Sequence, residues 1–357
     1  MSYVNTVIDC VKIQGMLEDH WASPLPLLKA QEALPHLAYT LSPQNNTADI
    51  AISDGRGKTR TVEVIYSQRL IESDIQENLT HGCSAQGGNE DKVATYEMDI
   101  TQNIGSEFQL DTMDLVGVCE DDNAYIARRI EERLAGMRLK MAQRIATDTV
   151  AELGKWASNV ENVTSDNLIV QAWINNQTYQ PNPSLWSDLD MAMLLSQFGE
   201  AGIFGDQILL KAARAASVGG TADFGINLRD MLEKYGKGVF YDRFVTAALT
   251  AGAGGQNSIA QALGAAQVVF WNKYANPALV KGDDSSKATV INDPVFGYPI
   301  DLRLYWDCDV LNVKLITTPY LITLPDDMFK VGDRLNGVNG LAGIEVDNCA
   351  TAEPCPA

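Results

Sequence analysis

Histidine is scarce: His20, His36 and His81 are the only three in 357 residues. No two have the HxxxH or HExxH spacing of a zinc site, and the lone His81-Gly-Cys83 offers too few ligands for a tetrahedral ion. Cysteine builds no framework either. Cys10, Cys83, Cys119, Cys308, Cys349 and Cys355 are scattered without a CxxC pair, as expected of a reduced, cytosolic chain. Cys349 and Cys355 sit close together in the tail and could bridge under oxidation. No apolar run approaches the ~18 residues of a membrane span. The opening MSYVNTVIDCVKIQ lacks a basic start followed by an apolar block, so it does not read as a signal peptide. Positive charge is short: 27 Lys and Arg stand against 46 Asp and Glu, a formal net charge of −19. That field repels phosphate backbones and anionic membranes, which argues against a dedicated nucleic-acid binder. There is no GxSxG elbow and no GxxxxGK[ST] loop.

What chemistry remains is thin. The segment TAGAGGQNSIAQALG, residues 250–264, is rich in glycine and is expected to open a helix, where backbone N–H groups can hold phosphate. However, Asn257 stands where a third glycine belongs and no lysine follows, so a capped loop is the expected reading. Asp307 and Asp309 alternate on an expected strand and would face one way. Paired carboxylates of this kind can bind a divalent cation, although DxD is common by chance. Asp283–Asp284 and Asp326–Asp327 read as solvated turns. Tryptophans 21, 156, 173, 186, 271 and 306 read as core or interface anchors. No nucleophile, base and stabiliser come together, and no metal or cofactor is expected.

The strongest signal is Asp121–Trp156. Ile126, Ile130, Leu134, Met137, Met141, Ile145, Thr149, Leu153 and Trp156 fall on one helical face. Asp121, Asp122 and Asn123 are N-cap candidates. A rod of this length is roughly 54 Å long. Its apolar stripe advances by about 3.75 residues per step, more than the ~3.6 of a helical turn, so it drifts around the axis. Such a helix meets different neighbours along its length. Gly136 and Gly154 weaken it by about 1 kcal/mol each unless something packs closely there. Arg129, Arg133, Lys140 and Arg144 share one side beside the stripe. Pairing with the surplus acids, within or between chains, is the simplest reading of that basic side; a patch facing DNA is the other.

Around the rod, residues 1–45 are irregular, with a short helix possible from Thr6 to His20, and read as an arm lying on something else. Residues 46–118 are rich in strand signals. Ala48–Ser53 and Thr59–Gln68 flank a glycine turn, DGRGK, and read as a hairpin. A second tip, CSAQGGNEDK, precedes VATYEMDITQN. Ribbons of this kind need a surface to lie on, and this one is expected to lack a surface of its own. Residues 184–277 read as helical: Ser187–Phe198, Ile203–Ser217, Leu228–Tyr235 and Ser258–Tyr274, with a strand near Val239–Thr246. From 278 to 346 strands return as KATVIN, PIDLRLYWDCDV, VKLITTPYLITLP and GLAGIEV. The turn pairs Asn336–Gly337 and Asn339–Gly340 lie before the last of these.

A loose arm, a hairpin ribbon, one long helix, an Ala/Gly-rich middle and returning strands: this order resembles the major capsid protein of tailed bacteriophages, the Hong Kong ninety-seven fold. The resemblance implies an α+β fold divided as follows. Residues 1–45 would be the N-terminal arm, and 46–118 the extended hairpin loop with adjoining peripheral strands. Residues 119–184 would be the peripheral domain with its spine helix, 185–285 the axial domain, 286–346 the return strands and 347–357 a C-terminal tail. The reaching tip would be Asp54, Gly55, Arg56, Gly57 and Lys58, or else Ser84–Asp91. Partners implied are copies of the chain in hexamers and pentamers of an icosahedral or prolate shell, with portal, scaffolding and decoration proteins. The shell would enclose double-stranded DNA without sequence-specific binding, assemble in the host cytoplasm and form part of the virion. Many members begin with a charged helical scaffolding segment; none is recognisable here, so a separate scaffold or none is expected. Some crosslink a loop lysine. Lys58 sits at a plausible tip, yet no catalytic acid accompanies it, and no crosslink is expected. A protein nanocompartment of the same fold, or a metal-dependent enzyme using Asp307 and Asp309, are the alternatives.

Overall fold

The computed structural model describes residues 10–21, 33–43, 49–53, 57–67, 91–111, 122–154, 167–175, 180–185, 187–189, 201–218, 237–252, 255–275, 286–307, 310–325, 328 and 338–347. Two helices come first, α1 (Cys10–Trp21) and α2 (Pro35–Thr40), then four strands, β1 (Asp49–Ile52), β2 (Thr59–Ser67), β3 (Asp91–Asp99) and β4 (Ile104–Asp111). The long helix α3 (Asp122–Ala151) follows, with β5 (Asn167–Gln171), β6 (Trp173–Asn175), β7 (Gln180–Pro181) and β8 (Ala201–Gly205) after it. Next are α4 (Gln207–Val218), β9 (Lys237–Tyr241), α5 (Arg243–Ala251), β10 (Ser258–Ala262) and β11 (Ala266–Trp271). The last strands are β12 (Ser286–Asn292), β13 (Pro299–Asp307), β14 (Val310–Thr323) and β15 (Leu341–Asp347). The mixed α+β class expected from the sequence is what the structure shows.

Helix α3 has 30 residues and is about 45 Å long. Its apolar stripe is buried as expected: Ile126, Ile130, Leu134, Met141, Ile145 and Thr149 are fully enclosed and Met137 nearly so. The helix stops short of the expected Trp156, which lies outside the described residues. The reason is local. Asn339 Nδ2 donates to the Glu152 carbonyl at 2.8 Å, and the Gly154 N–H donates to the Leu341 carbonyl at 3.0 Å. A Cβ on Gly154 would lie 2.0 Å from Asn339 Oδ1. The Asn339–Gly340 turn, with Gly340 at φ +80°, therefore docks where another helical turn would go. Gly154 thus lies past the helix end, where it carries no helix-propensity cost, and is closely packed. Gly136 has no such packing: a Cβ there would meet nothing within 4 Å.

Two five-stranded sheets share this helix. One runs β11-β14-β13-β12 with β4 also paired to β14, and the other runs β5-β15-β10-β8-β9. Leu302, Leu304, Leu311, Val313 and Leu315 of the first sheet, with Phe108 and Leu110 of β4, form one core with α3 from Tyr125 to Ile145. Ile13 and Leu17 of α1 and Leu37 of α2 complete it. The arm thus lies on the chain's own long helix. In the second sheet, Ala201, Ile203, Ala260 and Ile344 pack beneath Leu209 and Ala212 of α4. Phe204 and Ile259 pack on the opposite side with Ala146 of α3 and Val245 and Leu249 of α5. The drifting stripe thus carries α3 from one sheet to the other.

Burial on both faces also explains where sequence reasoning failed. Every residue of β8 and β10 is buried, so neither shows polar alternation, and an Ala-rich run without alternation reads as helix. The expected helix Ser258–Tyr274 is instead β10, a turn and β11. Similarly, Ile203–Ser217 begins as β8 and only then becomes α4. The strand expected at Val239–Thr246 is β9 followed by α5, which starts at Asp242: its Oδ1 accepts from Phe244 N at 2.9 Å and Val245 N at 3.1 Å. Leu228–Tyr235 and most of Ser187–Phe198 lie outside the described residues.

The ribbon is a three-stranded sheet, β1-β2-β3, antiparallel throughout. The expectation that it lacks a surface of its own is overturned. Val62, Val64 and Met98 pack on Ile322 of β14, with Val269 and Trp271 of β11 and Tyr320 beside them. The Arg60 guanidinium lies 4.9 Å from the Trp271 ring centroid, and Tyr96 donates to the Thr323 carbonyl at 3.3 Å. Period-two alternation on β2 puts Val62, Val64 and Tyr66 on one side, toward the chain's own β11–β14 pair, and leaves Ile65 on the other.

One buried ion pair pins α3 to the first sheet. Arg138 Nε donates to Asp293 Oδ2 at 2.7 Å, with both side chains almost fully enclosed. Asp293 Oδ1 also accepts from Val295 N and Phe296 N at 2.9 and 2.8 Å, closing the turn between β12 and β13. Burial, then the nearby Asp293 carboxylate, pushes the Tyr298 hydroxyl far above its ordinary range. Asp293→Asn keeps the two turn bonds but strands the guanidinium without its carboxylate. It is expected to cost about 3–5 kcal/mol in denaturant unfolding, with a clearly smaller loss when Arg138→Met is added. Gly154→Ala is expected to cost about 1–3 kcal/mol by displacing Asn339, and to cost almost nothing further in an Asn339→Ala background.

Candidate functional site

The exposed side of α3 carries the four basic residues singled out in the sequence. Arg129 Nη1 meets Glu132 Oε2 at 3.0 Å, and its guanidinium donates to the Tyr125 hydroxyl at 3.3 Å. Those bonds, the tyrosine first, hold its proton more tightly than usual. The Arg133 guanidinium stands 5.5 Å from the Phe108 ring centroid. Lys140 Nζ reaches Gln143 Oε1 at 3.4 Å. Arg144 donates to the Gln102 carbonyl and to Gln102 Oε1, and meets Asp148 at 3.5 Å. Burial raises the Asp148 carboxyl despite the pull of Arg144. The surplus acids therefore engage Arg129 and Arg144 within the chain, through exposed or part-exposed pairs that contribute little to stability. A groove of about 510 Å³ runs between Asn103–Gly105, at the start of β4, and Lys140, Gln143, Arg144 and Thr147 of the helix.

A second surface is the outer face of β1-β2-β3. Glu63, Ile65, Val93, Thr95 and Glu97 are exposed on it. Ile65 and Val93 are directly opposed across the ladder and are 43% and 54% exposed. Two aliphatic side chains facing water as a cross-strand pair gain nothing from the sheet beyond each other. Of the hairpin tip, Gly57 and Lys58 are exposed, with Gly57 at φ +107°. Asp54, Gly55 and Arg56 lie outside the described residues. The second candidate tip does too, except for Asp91, which opens β3.

The other chemical candidates do not assemble. Asp307 is exposed at the end of β13, and Asp309 lies outside the described residues. Among the described residues no group of three or more His, Cys, Asp and Glu is placed to hold a metal ion, and no helix is long and apolar enough to cross a membrane. The glycine-rich segment leads into strand β10, so it has no helix start to offer a phosphate. Its Asn257 is occupied instead: Oδ1 accepts from Val346 N at 3.0 Å and Nδ2 donates to the Val346 carbonyl at 3.1 Å.

Two polar clusters escaped the sequence reading. Arg138 follows Leu134 and precedes Ala142 by one helical turn each, inside the buried arc, and that position is the signal that could have found it. His36 is the other. It is 1% exposed, its N–H donates to Asp242 Oδ2 at 3.2 Å, and its Nε2 meets Gln261 Oε1 at 3.1 Å. A polar residue between Pro35 and Leu37 in an otherwise apolar stretch was the only hint.

No protein-family model and no curated protein matches the chain. Solved structures do, and those that follow are at low identity. The capsid structure of cyanophage P-SCSP1u is 11% identical over 83% of this chain and 85% of that one, with a TM-score of 0.38. The capsid of Ralstonia phage GP4 is 12% identical over 85% and 86%, with a TM-score of 0.36. The asymmetric unit of the bacteriophage PhiM1 mature capsid is 10% identical over 82% and 83%, with a TM-score of 0.37. Each of these three solved structures, to which this chain is similar, is of a phage capsid.

Proposed function

We propose that this chain is the structural subunit of a phage head. Copies of it form hexamers and pentamers of a closed shell around double-stranded DNA. The observation that carries the reading is the pairing of two unlike surfaces on one molecule. The outer face of β1-β2-β3 is apolar at Ile65 and Val93 and acidic at Glu63 and Glu97. The exposed side of α3 is basic at Arg129, Arg133, Lys140 and Arg144. They are different patches, so a contact between them is heterologous: each copy offers its sheet to one neighbour and its helix to another. Such contacts close into rings when the rotation permits. Burying the aliphatic pair supplies the apolar part of the association, and the opposite charges set its register. In this reading the tip, Asp54–Lys58, contacts the same neighbour. The net negative charge lets packaged DNA lie inside without adhering. Portal, scaffolding and decoration proteins are the further partners of such a shell, in an assembly built in the host cytoplasm.

Negative-stain imaging and light scattering of the purified protein test this. Ring-shaped or closed particles are expected, and they should loosen as salt rises from about 0.05 M to about 0.5 M, because exposed charge pairs are screened. Val93→Asp replaces half of the aliphatic pair with a carboxylate that burial at the contact would strip of water, and leaves the sheet's inner side untouched. It is expected to keep the monomer folded by circular dichroism and to raise the concentration needed for assembly by about tenfold or more, roughly 1.4 kcal/mol per interface. A wild-type chain that stays monomeric at every concentration, or a Val93→Asp variant that assembles as well as wild type, sinks the reading.

A further inference from the structure

Residues 33–43 meet the second sheet around a buried imidazole, that of His36. The His36 N–H and ring bridge Asp242, at the junction of β9 and α5, to Gln261 of β10. The ring stands edge-on to Phe204 of β8, with centroids 5.1 Å apart. Tyr39, one turn later, donates to the Gln261 carbonyl at 3.3 Å and lies 5.3 Å from the same Phe204 ring. Thr40 donates to the His36 carbonyl at 2.9 Å. His36 Nδ1 has no hydrogen-bond partner among the described residues. The site is therefore matched to a neutral ring whose Nε2–H donates to Gln261.

We propose that α2 and its flanks are an acid-released latch: protonation of His36 undocks residues 33–43 from the second sheet while the rest of the subunit stays folded. The groups around the ring show why. Phe204, Phe240, the α3 residues Ala146 and Val150, and Leu153 just after the helix form the apolar side of this junction and offer no charge. Tyr241 and Arg243 flank Asp242 but face outward, Arg243 over the Phe244 ring. Asp242 is the counter-charge, and it already accepts from His36 N, Phe244 N and Val245 N. A second ring proton would sit on Nδ1, where no acceptor waits. Burial accordingly lowers the His36 pKa below its ordinary 6.5, against the opposing pull of Asp242 and the Gln261 hydrogen bond. For a base whose folded pKa is depressed, docking is complete above the ordinary value. It is lost as pH falls from there through the folded value.

Hydrogen-exchange mass spectrometry on the full chain, at about pH 7.5 and about pH 5, tests the latch. Rates are normalised to an unstructured peptide of the same sequence. Protection of 33–43 is expected to drop with a slope of up to about tenfold per pH unit, while peptides from Met137–Ile145 keep theirs. His36→Gln, which cannot titrate but keeps a donor for Gln261, is expected to show the same protection at both pH values. If that variant does not fold, the wild-type His36 ring is followed by NMR, and its titration is expected to coincide with the loss of protection. The latch is overturned if 33–43 stays protected at the lower pH, if all segments lose protection together, or if His36→Gln opens at the same pH as wild type. None of these measurements depends on whether the chain builds a shell.

Discussion

Helix α3 buries one apolar side that turns slowly about its axis, and the architecture is built on that turn. Residues up to Ile145 on this side press on β12, β13, β14 and β4; Ala146 and its successors press on β8, β10 and α5. An isolated helix of this length is only marginally stable in water, so the two sheets hold it in place as much as it joins them. A stripe with a strict period would have faced only one of them. The exposed side left over is the basic one, so the element that unites the two cores also presents charge to the outside.

Polar groups fix the angles that apolar packing leaves free. Hydrophobic contact is non-directional, and α3 could slide on Leu302 or Val313 with little loss. The Arg138–Asp293 pair does not permit that: a charge buried in this core is tolerable only in one register. Asn339 sets the end of the helix in the same way, and Asp242 sets the start of α5. Each is a short, local arrangement that joins segments far apart in sequence, and each lies at a seam between an element and its neighbour.

What could be read from the sequence follows from these physical terms. The long helix was legible because its stripe is one-sided. So were β2, β12, β13 and β15, where turn residues bound apolar runs. The strands β8 and β10 were not, because burial on both faces removes the alternation by which strands are recognised. The helix end at Ala151 was illegible because the residue that stops it, Asn339, is distant in sequence. The ribbon's partner was illegible for the same reason: nothing in Thr59–Ser67 announces that Ile322 and Trp271 will cover it. For the site, the basic side of α3 could be read from spacing alone. The Ile65–Val93 pair could not, since it exists only in the register of β2 against β3. The buried His36 bridge likewise depends on Asp242 and Gln261, which three-dimensional folding alone brings to it.

Strand β15 lies between β5 and β10 at the heart of the second sheet, although Leu341 is far downstream of Gly205, where β8 ends. During synthesis, β5, β8, β9 and β10 must therefore wait on the ribosome with a vacant slot between them. The sheet closes only after residues 341–347 have left the exit tunnel. The order of the chain itself thus makes this sheet one of the last parts of the subunit to close.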